Sequence, residues 1–439
     1  MSHPGACPDG GEIGRLGLAM NAFRYRKGEL CCERVPLRRL AEAFGTPLYV
    51  YSEGHITGQY AGLDRALRSI DHQICFAVKA NSNLAVLRLL ARLGAGFDIV
   101  SGGELYRVAQ AGGDPKRCVF SGVGKSREEI EYALKLGIYI FNVESEPELR
   151  RIAAVARRAG RRAPIAVRVN PGVDPDTHRY ISTGKHESKF GISIRDALGV
   201  YREAARMDGI EIRGVQMHIG SQITQTAPYV LAIRKLMPLV EKLREIAPGT
   251  LQSFDVGGGV GILYHGEHPP TAAGFAEAVL PRLKGVGLRI LLEPGRFIVG
   301  NGGVLVTRVV HVKRTPVKRF VIVDAAMNDL IRPSLYGSYH EIVPVSARDA
   351  RRNITADVVG PVCESGDFLA QDRRVAAVEE GALLTVRSAG AYGMSMSSNY
   401  NSRPRAAEVM VNGSRYELVR RRESAKDLIS GETIPRWMM

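Results

Sequence analysis

The stretch CFAVKANSNLAVL, residues 75–87, contains the unit from which the fold is built. Cys75 to Val78 are apolar and rich in strand formers, which predicts a short buried β-strand. Lys79 follows at once, and polar residues 81–83 then separate the strand from a segment with helical periodicity at 83–94. A lysine in this place has two explanations. Its ammonium group can reach water along a flexible stem, or the strand can deliver an amine to a site.

The same strand-and-helix unit recurs along the chain, with helix-period segments also at 103–112 and 146–160. Candidate strands end at Val78, Val100, Ser121, Asn142, Asn170, His218, Gly257 and Glu293. Eight such units predict an α/β fold with a (β/α)8 TIM-like barrel over residues 46–297. A doubly wound open sheet is the alternative, and the count of eight favours the barrel.

The texture of the sequence changes after about residue 300, where strands follow one another without long helices. This pattern predicts a mostly antiparallel C-terminal β domain, with VNGS (411–414) as a hairpin turn. Residues 22–45 are strand-like as well, so we expect the β domain to comprise residues 22–45 and 298–439. We expect residues 1–21 to form a flexible tail.

Bulk composition excludes several classes of protein. Hydrophobic residues make up 45% and charged residues 24% of the 439 residues, which is ordinary for a globular enzyme. No apolar run approaches the roughly 20 residues that span a bilayer, and the N-terminus lacks a signal pattern. Six scattered cysteines without a CxxC spacing fit a reducing compartment. We therefore expect a cytoplasmic protein without a membrane partner.

The net charge of +15 raises the question of nucleic acid. The basic residues are scattered, and no nucleic-acid-binding module is recognisable, so we expect no nucleic-acid partner. Positive charge equally suits an anionic cofactor or substrate, which it attracts over a distance.

Two local patterns imitate sites that we do not expect. FSGVGKS (120–126) resembles a phosphate-binding P-loop, but Val119 stands where that pattern requires glycine. The spacing of Ser126 and Glu129 instead predicts a helix capping box. HGEH (265–268) has two histidines in a proline-flanked loop without a third ligand, so we expect no metal site.

Three further motifs follow predicted strands: QMHIGSQ (216–222), DVGGGVG (255–261) and LLEPGRF (291–297). Each has a structural explanation, namely a hydrogen-bonded core histidine, a tight turn, and a buried Glu293–Arg296 pair. Carboxyl ends of barrel strands meet at one rim, however, so Lys79, His218, the glycines and Glu293 would lie together. A lysine amine, a glycine-rich phosphate cradle and a carboxylate for the pyridine nitrogen suit pyridoxal 5'-phosphate.

Seven motifs carry a resemblance that extends from about residue 22 to the C-terminus: FAVKAN, HIGSQ, DVGGG, EPGR, RPSLYGSYH, GPVCESGD and GAYG. Together they resemble the barrel-type, fold-type III pyridoxal-phosphate-dependent decarboxylases of basic amino acids, most closely those that act on diaminopimelate. The resemblance implies an alanine racemase-like architecture and conversion of meso-2,6-diaminopimelate to L-lysine and CO2, the last step of lysine biosynthesis. It also implies a homodimer with shared active sites.

The resemblance further implies roles for individual residues. Lys79 carries the cofactor, His218 stacks on its ring, and Glu293 pairs with the pyridine nitrogen. The phosphate is held by Ser221, Gly257, Gly258, Gly259, the backbone of Glu293, Pro294, Gly295 and Arg296, and Tyr392. The far end of the substrate is bound by Arg296, Arg332, Tyr336, Glu364 and Tyr392. Cys363 comes from the partner subunit as proton donor, and Asp98 and Asn170 support the cofactor site.

Three alternatives remain open. A sister enzyme would decarboxylate ornithine, arginine or a carboxylated polyamine. A cofactor carrier without turnover is disfavoured because Lys79 and Cys363 are both present. An alanine racemase would place an arginine, not Glu293, against the pyridine nitrogen. Because imine formation needs a neutral amine, we also expect the surroundings of Lys79 to lower its pKa.

Overall fold

The computed structural model describes residues 22–174 and 189–439, so the predicted tail at 1–21 lies outside the described residues. The α-helices are α1 Leu37–Phe44, α2 Glu53–Leu67, α3 Leu84–Arg92, α4 Gly102–Gln110, α5 Arg127–Leu136, α6 Glu146–Arg158, α7 Ala197–Ala205, α8 Ala227–Ile246, α9 Ala272–Leu283, α10 Arg296–Val299, α11 Arg332–Tyr336 and α12 Ala425–Leu428. The strands before the second domain are β1 Phe23–Arg26, β2 Glu29–Cys32, β3 Val35–Pro36, β4 Leu48–Ser52, β5 His72–Ala77, β6 Gly96–Ile99, β7 Cys118–Phe120, β8 Ile140–Val143, β9 Ala163–Asn170, β10 Ile192–Ser193, β11 Ile210–Gln216, β12 Ser253–Asp255 and β13 Arg289–Leu292. The remaining strands are β14 Gly303–Arg314, β15 Arg319–Val323, β16 Ile342–Pro344, β17 Asn353–Val359, β18 Phe368–Ala376, β19 Leu383–Val386, β20 Ala407–Asn412 and β21 Arg415–Arg420.

Eight parallel strands close into the predicted barrel. Their order is β5, β6, β7, β8, β9, β11, β12, β13, and β13 pairs again with β5. The short strand β10 lies beside β9. The predicted (β/α)8 barrel is therefore confirmed, and the predicted strand ends fall close to the observed ones because each short apolar run is followed directly by polar or glycine residues.

Buried apolar strands and capped helices explain why these units form. Phe76, Phe97, Phe120 and Phe141 on consecutive strands are fully buried, and the last two stack with ring centroids 6.0 Å apart. The predicted capping box at the start of α5 is present, with Ser126 and Glu129 each accepting from the other's backbone N–H. Such caps each contribute about 1 kcal/mol and fix where a loop ends and a helix begins.

The second domain is built on a sheet of mostly antiparallel strands in the order β18, β17, β15, β14, β4, β20, β21. The predicted turn at VNGS joins β20 to β21. Strand β4 pairs antiparallel with β14 and parallel with β20, so Leu48–Ser52 belongs to this sheet, although the predicted barrel range begins at residue 46. All five residues of β4 are buried, and an apolar run of this kind does not indicate which sheet it joins.

The N-terminal strands β1, β2 and β3 form a separate three-stranded antiparallel sheet that packs on the second domain. The N–H of Leu30 donates to the carbonyl oxygen of Val345 at 2.7 Å. Leu30 and Leu37 also share one buried cluster with Val304 and Val409. Among the helices of residues 22–174 and 189–439, none has the length and apolar character needed to cross a membrane.

Candidate active site

A cavity of about 740 Å³ lies between the carboxyl ends of the barrel strands and the second domain. Its volume is in the range of about 300–1,000 Å³ that is usual for small-molecule and cofactor sites. Most of the predicted site residues line it: Lys79, His218, Ser221, Gly259, Glu293, Gly295, Arg296, Arg332, Tyr336 and Tyr392. The structure therefore brings together groups from strand ends that are far apart in the sequence.

Lys79 lies in a single 3-10 turn, Val78–Ala80, directly after β5. Its Nζ donates to Oδ2 of the fully buried Asp98 on the neighbouring strand β6. Burial lowers the pKa of Lys79, but the charges of Asp98, Tyr392 and Glu293 raise it, and the net direction is upward. The expectation of a lowered Lys79 pKa is thus wrong, because a carboxylate at contact distance outweighs the desolvation of the amine.

Glu293 follows β13 and is buried among neutral hydrogen-bond donors. Its Oε1 accepts from Asn142 Nδ2 at 3.2 Å and from Ser121 Oγ at 3.5 Å. Its Oε2 accepts from Gln216 Nε2 at 3.2 Å and lies 3.8 Å from His218 Nδ1. These contacts come from the ends of three different strands, β7, β8 and β11, and hold the carboxyl group in one orientation.

Glu293 also interacts with a second buried acid, Asp255 at the end of β12. Burial raises the pKa of Glu293 well above its usual value, and the charges of Asp255 and Asp98 raise it further. Burial likewise raises the pKa of Asp255 to about 7, against the hydrogen bond from the N–H of Gly257. Because two close carboxylates cannot both ionise easily, this pair retains a proton near neutral pH.

The glycine run after β12 is packed too closely for side chains. A Cβ at Gly257, Gly258 or Gly259 would lie 2.3, 2.0 or 2.1 Å, respectively, from a backbone oxygen of a neighbouring turn. Gly257 and Gly259 also have φ values of +73° and +101°, which favour glycine. Gly259 lines the large cavity, whereas Gly257, Gly258 and Pro294 line a separate small pocket on the barrel.

His218 is oriented by this same turn. The N–H of Gly258 donates to His218 Nδ1 at 3.2 Å, which makes Nδ1 an acceptor and places the ring proton on Nε2. Burial lowers the pKa of His218 well below its usual value, and the cations Arg168 and Lys79 lower it further. The imidazole is therefore neutral and presents a fixed orientation at the cavity wall.

Two buried arginines meet at Tyr264, which the sequence did not single out. Arg296 Nη1 and Arg332 Nη1 each donate to Tyr264 Oη at 2.7 Å. Arg296 Nη2 also donates to Ser221 Oγ at 3.0 Å. Burial lowers the pKa of Arg332, and the nearby Arg296 guanidinium lowers it further. Two cations at such close range make this end of the cavity suited to an anion.

Tyr392 belongs to a loop of the second domain that rests on the Lys79 turn. Its N–H donates to the carbonyl oxygen of Ala80 at 2.8 Å, and its ring lies 4.8 Å from the Arg296 guanidinium. Its φ of 56° is unusual for a residue with a side chain, and such conformations recur where a loop shapes a site.

Asn170 does not line the cavity. Its Oδ1 accepts a hydrogen bond from the N–H of Gly172 at 2.9 Å.

Several residues to which the resemblance gives a role do not line this cavity within the described chain: Asp98, Asn170, Gly257, Gly258, Pro294, Cys363 and Glu364. Cys363 and Glu364 lie in one loop of the second domain, between β17 and β18. Both are exposed. The N–H of Cys363 donates to Asn401 Oδ1 at 2.8 Å, which fixes the loop that carries both residues.

Comparisons with known proteins agree on one family. A family model described as "Pyridoxal-dependent decarboxylase, pyridoxal binding domain" matches residues 53–300. A diaminopimelate decarboxylase of Pseudomonas aeruginosa is 54% identical over 415 residues, which cover 94% of this chain and 99% of that relative. The chain belongs to the diaminopimelate decarboxylase family.

Solved structures of this family superpose on nearly the whole chain. Diaminopimelate decarboxylase from M. jannaschii, in co-complex with L-lysine, has 36% identity and a TM-score of 0.90, and the match covers 96% of this chain and 100% of that one. The enzyme from Helicobacter pylori, complexed with L-lysine, has 42% identity and a TM-score of 0.86, with coverage of 90% and 98%. The protein is therefore a carboxy-lyase that uses pyridoxal phosphate.

The cavity of this decarboxylase fits that cofactor. Ser221, Gly259 and Gly295 lie in the turns where barrels of this type bind phosphate. Two buried polar atoms, Asp98 Oδ1 and Arg296 Nε, have no hydrogen-bond partner in the described chain. Buried polar atoms are normally paired, so these atoms are available to a bound group.

Two further charged residues of this decarboxylase, Arg168 and Glu104, were not identified from the sequence. Arg168 lines the cavity and donates to both carboxylate oxygens of Glu144 at 3.1 Å. Its position inside the apolar strand β9 was a usable signal, because a buried charge needs a partner. Glu104 accepts from the N–H of Val100 at 2.8 Å, and burial raises its pKa to about 7 against the charge of Lys79.

The two motifs that imitate a P-loop and a metal site, FSGVGKS and HGEH, make structural contacts in this decarboxylase. Lys125 of FSGVGKS is buried and donates to Glu148 at 2.7 Å and to two carbonyl oxygens at 2.8 Å. His265 of HGEH stacks on Tyr339, with ring centroids 4.0 Å apart. No group of three or more metal-ligating side chains is found in residues 22–174 and 189–439.

Proposed function

We propose that this chain decarboxylates meso-2,6-diaminopimelate to L-lysine and CO2 with pyridoxal phosphate, the final step of lysine biosynthesis. The observation that carries the proposal is the pair of buried arginines, Arg296 and Arg332, at the end of a cavity that also contains Lys79 and Glu293. A substrate that ends in a carboxylate satisfies both guanidinium groups, because their planar forks bond carboxylate oxygens directly.

Lys79 is the residue that binds the cofactor covalently. Its ammonium group must lose a proton before the amine can react, and Asp98 Oδ2 is the acceptor already in contact with Nζ. Asp98 Oδ1 remains available for a second hydrogen bond. The carboxylate therefore holds the Lys79 side chain in place at the cavity.

Glu293 controls the proton on the ring nitrogen. The cofactor, when bound, supplies an electron sink for the pair left on the α-carbon after CO2 departs. The Glu293–Asp255 pair keeps a proton near neutral pH because burial raises both pKa values. Asn142, Gln216 and Ser121 hold the Glu293 carboxyl so that this proton is presented at one point.

His218, Ser221 and the glycine run position the cofactor in this proposal. The neutral His218 imidazole offers a flat face for stacking, since Gly258 fixes its tautomer. Ser221, the glycine turn, Pro294, Gly295 and Tyr392 would hold the phosphate of the cofactor. Because the imidazole stays neutral, His218 does not exchange protons in this part of the site, and Lys79, Glu293 and their partners do.

The far end of the substrate contacts groups from both domains. Arg296 and Arg332 take the carboxylate, with Tyr336 as a hydroxyl donor at the same cavity. Glu364 takes the ammonium group. Because two unpaired buried arginines are costly, a substrate without the far carboxylate is strongly disfavoured.

We assign Cys363 and Glu364 to the active site of a partner subunit in a cytoplasmic homodimer. Their exposure supports this, since neither reaches the cavity of its own chain. Cys363 then serves as the proton donor to the α-carbon, because a thiol S–H can donate its proton to a reacting carbon.

Subunit mixing tests the shared site. Inactive Lys79→Ala and Cys363→Ala proteins are mixed under conditions of subunit exchange, and activity returns to about one quarter of wild type, since half of the dimers are hybrids with one intact site each. Mass spectrometry of the mixture confirms exchange. Exchange without recovery would mean that Cys363 acts within its own chain or not at all.

The reaction itself is tested by CO2 release from a panel of amino acids. With purified protein and pyridoxal phosphate, meso-diaminopimelate yields L-lysine, and ornithine, lysine and arginine react at least about a thousandfold less efficiently. Equal turnover of ornithine or arginine would identify the chain as a sister decarboxylase.

A further inference from the structure

Tyr264 accepts a hydrogen bond from each of the two arginines and lies in the loop between β12 and α9. It lies beyond the glycine run of β12, whereas Arg296 begins α10 and Arg332 begins α11 in the second domain. Its ring lies 5.8 Å from the Arg296 guanidinium and 4.8 Å from that of Arg332. The tyrosine is buried, so its hydroxyl and its ring both act on these two cations at close range.

The hydrogen bonds that the Tyr264 hydroxyl already makes determine which further bond it can make to a ligand. A phenol oxygen has two acceptor lone pairs and one donated proton. Arg296 Nη1 and Arg332 Nη1 both donate to this oxygen at 2.7 Å. Its acceptor capacity is therefore used, and its remaining capacity is donation of the O–H to a ligand oxygen.

Arg332 is held from its other side by His340. The Nδ1 of His340 lies 2.8 Å from the carbonyl oxygen of Arg387, which can only accept, so Nδ1 carries the proton. Nε2 is then an acceptor, and it lies 3.0 Å from Arg332 Nη1. Both protons of Arg332 Nη1 are thus assigned, one to Tyr264 and one to His340, which fixes the plane of the guanidinium.

The unassigned atoms of this cluster point to an anionic ligand. Arg296 and Arg332 are each more than nine-tenths buried, and the Nε atom of each lacks a hydrogen-bond partner in the described chain. Both side chains line the cavity together with Tyr264. Two guanidinium groups and one hydroxyl proton form a donor set that matches a carboxylate.

We propose that Tyr264 is a specificity-determining residue, which holds Arg296 and Arg332 at one spacing and donates its O–H to the far carboxylate of the substrate. His340 is the positioning residue that acts through Arg332. This inference rests on the proposed function, because it names the group that sets up the carboxylate-binding end of the same cavity.

The test uses two ligands that differ only in that carboxylate. The CO2 that leaves comes from the cofactor end of diaminopimelate, so L-lysine retains the far carboxylate, and cadaverine is the same chain without it. Binding of each ligand to the holoenzyme is measured by titration calorimetry for wild type and Tyr264→Phe. L-Lysine affinity falls about 10- to 100-fold in the variant, the scale of a hydrogen bond to a charged group. Cadaverine affinity stays within about twofold, since it has no carboxylate to receive the O–H.

Tyr201→Phe is the matched control. Tyr201 is also fully buried, and its hydroxyl donates to the carbonyl oxygen of Gly214 at 2.8 Å, away from the cavity-lining set. This variant loses a buried hydroxyl of the same kind but keeps wild-type affinity for both ligands. A similar loss of L-lysine affinity in Tyr201→Phe would attribute the effect to general destabilisation and overturn the inference.

The outcomes separate this inference from the proposed function. A wild-type enzyme that does not prefer L-lysine to cadaverine would contradict the proposed carboxylate site itself. A wild-type enzyme with that preference, retained in full by Tyr264→Phe, would overturn only the role of Tyr264. Equal weakening of both ligands by Tyr264→Phe would also overturn it, because it would show a change in cavity shape.

Discussion

The barrel and the second domain contribute different chemistry to one cavity. In the proposed function, the barrel supplies Lys79 with Asp98 and Glu293 with Asp255 for the cofactor. The second domain supplies Arg332, which meets Arg296 and Tyr264 of the barrel side at the anionic end. We therefore expect changes at Lys79 or Glu293 to slow the reaction with every substrate, and changes at Arg332 to alter mainly the choice between substrates.

The largest effect is expected at Lys79. Lys79→Ala removes the amine that binds the cofactor, and decarboxylation falls by about four orders of magnitude or more, the scale of losing a covalent catalytic group. In wild type, borohydride reduction followed by peptide mapping finds the cofactor on Lys79. A labelled peptide that contains a different lysine would contradict the assignment.

The next effect is expected at Glu293, still on the barrel side. Glu293→Gln keeps the shape and burial of the side chain but cannot exchange a proton with the ring nitrogen. We expect the variant to bind the cofactor and to lose about 2–4 kcal/mol of transition-state stabilisation, as for a well-placed electrostatic group. The measurement is kcat/KM for meso-diaminopimelate beside cofactor absorbance, and turnover close to that of wild type would refute the role.

A selective effect is expected at Arg332 in the second domain. Arg332→Met keeps the length of the side chain but removes a charged donor, and kcat/KM for meso-diaminopimelate falls about 10- to 100-fold. The preference over ornithine narrows, while cadaverine binding and the cofactor spectrum stay unchanged. If all ligands weakened together, Arg332 would be needed for the shape of the cavity and the division between the two regions would fail.

The smallest effect concerns His340 and is a dependence of stability on pH. Burial lowers the pKa of His340 to about 3, and the Arg332 charge lowers it further. The unfolded chain binds a proton there below about pH 6.5, whereas the folded chain does not until near pH 3. Stability is therefore lost as pH falls from about 6.5, by up to about 2 kcal/mol at pH 5.

Thermal unfolding of wild type and His340→Gln at pH 7 and pH 5 measures this contribution. The drop in midpoint on acidification is smaller in the variant, which lacks the imidazole. The difference between the two proteins matters, because Asp255 and Glu293 have raised pKa values and contribute in the opposite direction in both. An equal drop in both would show that His340 is protonated in the folded protein.

The barrel was predictable because its signals are local. Each strand is a short apolar run, and the residue that follows it, such as Lys79 or Glu293, is polar where the strand leaves the core. The family was predictable from motifs, and both the fold class and the family are confirmed. The roles of individual site residues stay predictions, as do the dimer and the domain boundaries.

The role of Tyr264, the pKa of Lys79 and the sheet to which β4 belongs could not be predicted, because they depend on contacts between segments that are distant in the sequence. Tyr264 lies in a proline-flanked loop without periodicity, and only the folded chain shows that it bridges Arg296 and Arg332. The pKa of Lys79 was misjudged because the register that places Asp98 beside the end of β5 is a property of the sheet. The sheet to which β4 belongs was ambiguous for the same reason.

Strand β4 also sets an order of events during synthesis on the ribosome. Its parallel neighbour β20 is made much later: Tyr51 and its partner Glu408 are 357 positions apart in the chain. At translation rates of about 5–20 residues per second this interval is roughly 20 to 70 s. The barrel that carries Lys79 can close within that time. One edge of β4 stays unpaired until β20 is made, and it can pair with strands of other chains. In a nascent chain, the barrel that carries Lys79 can therefore form well before the sheet of the second domain is complete.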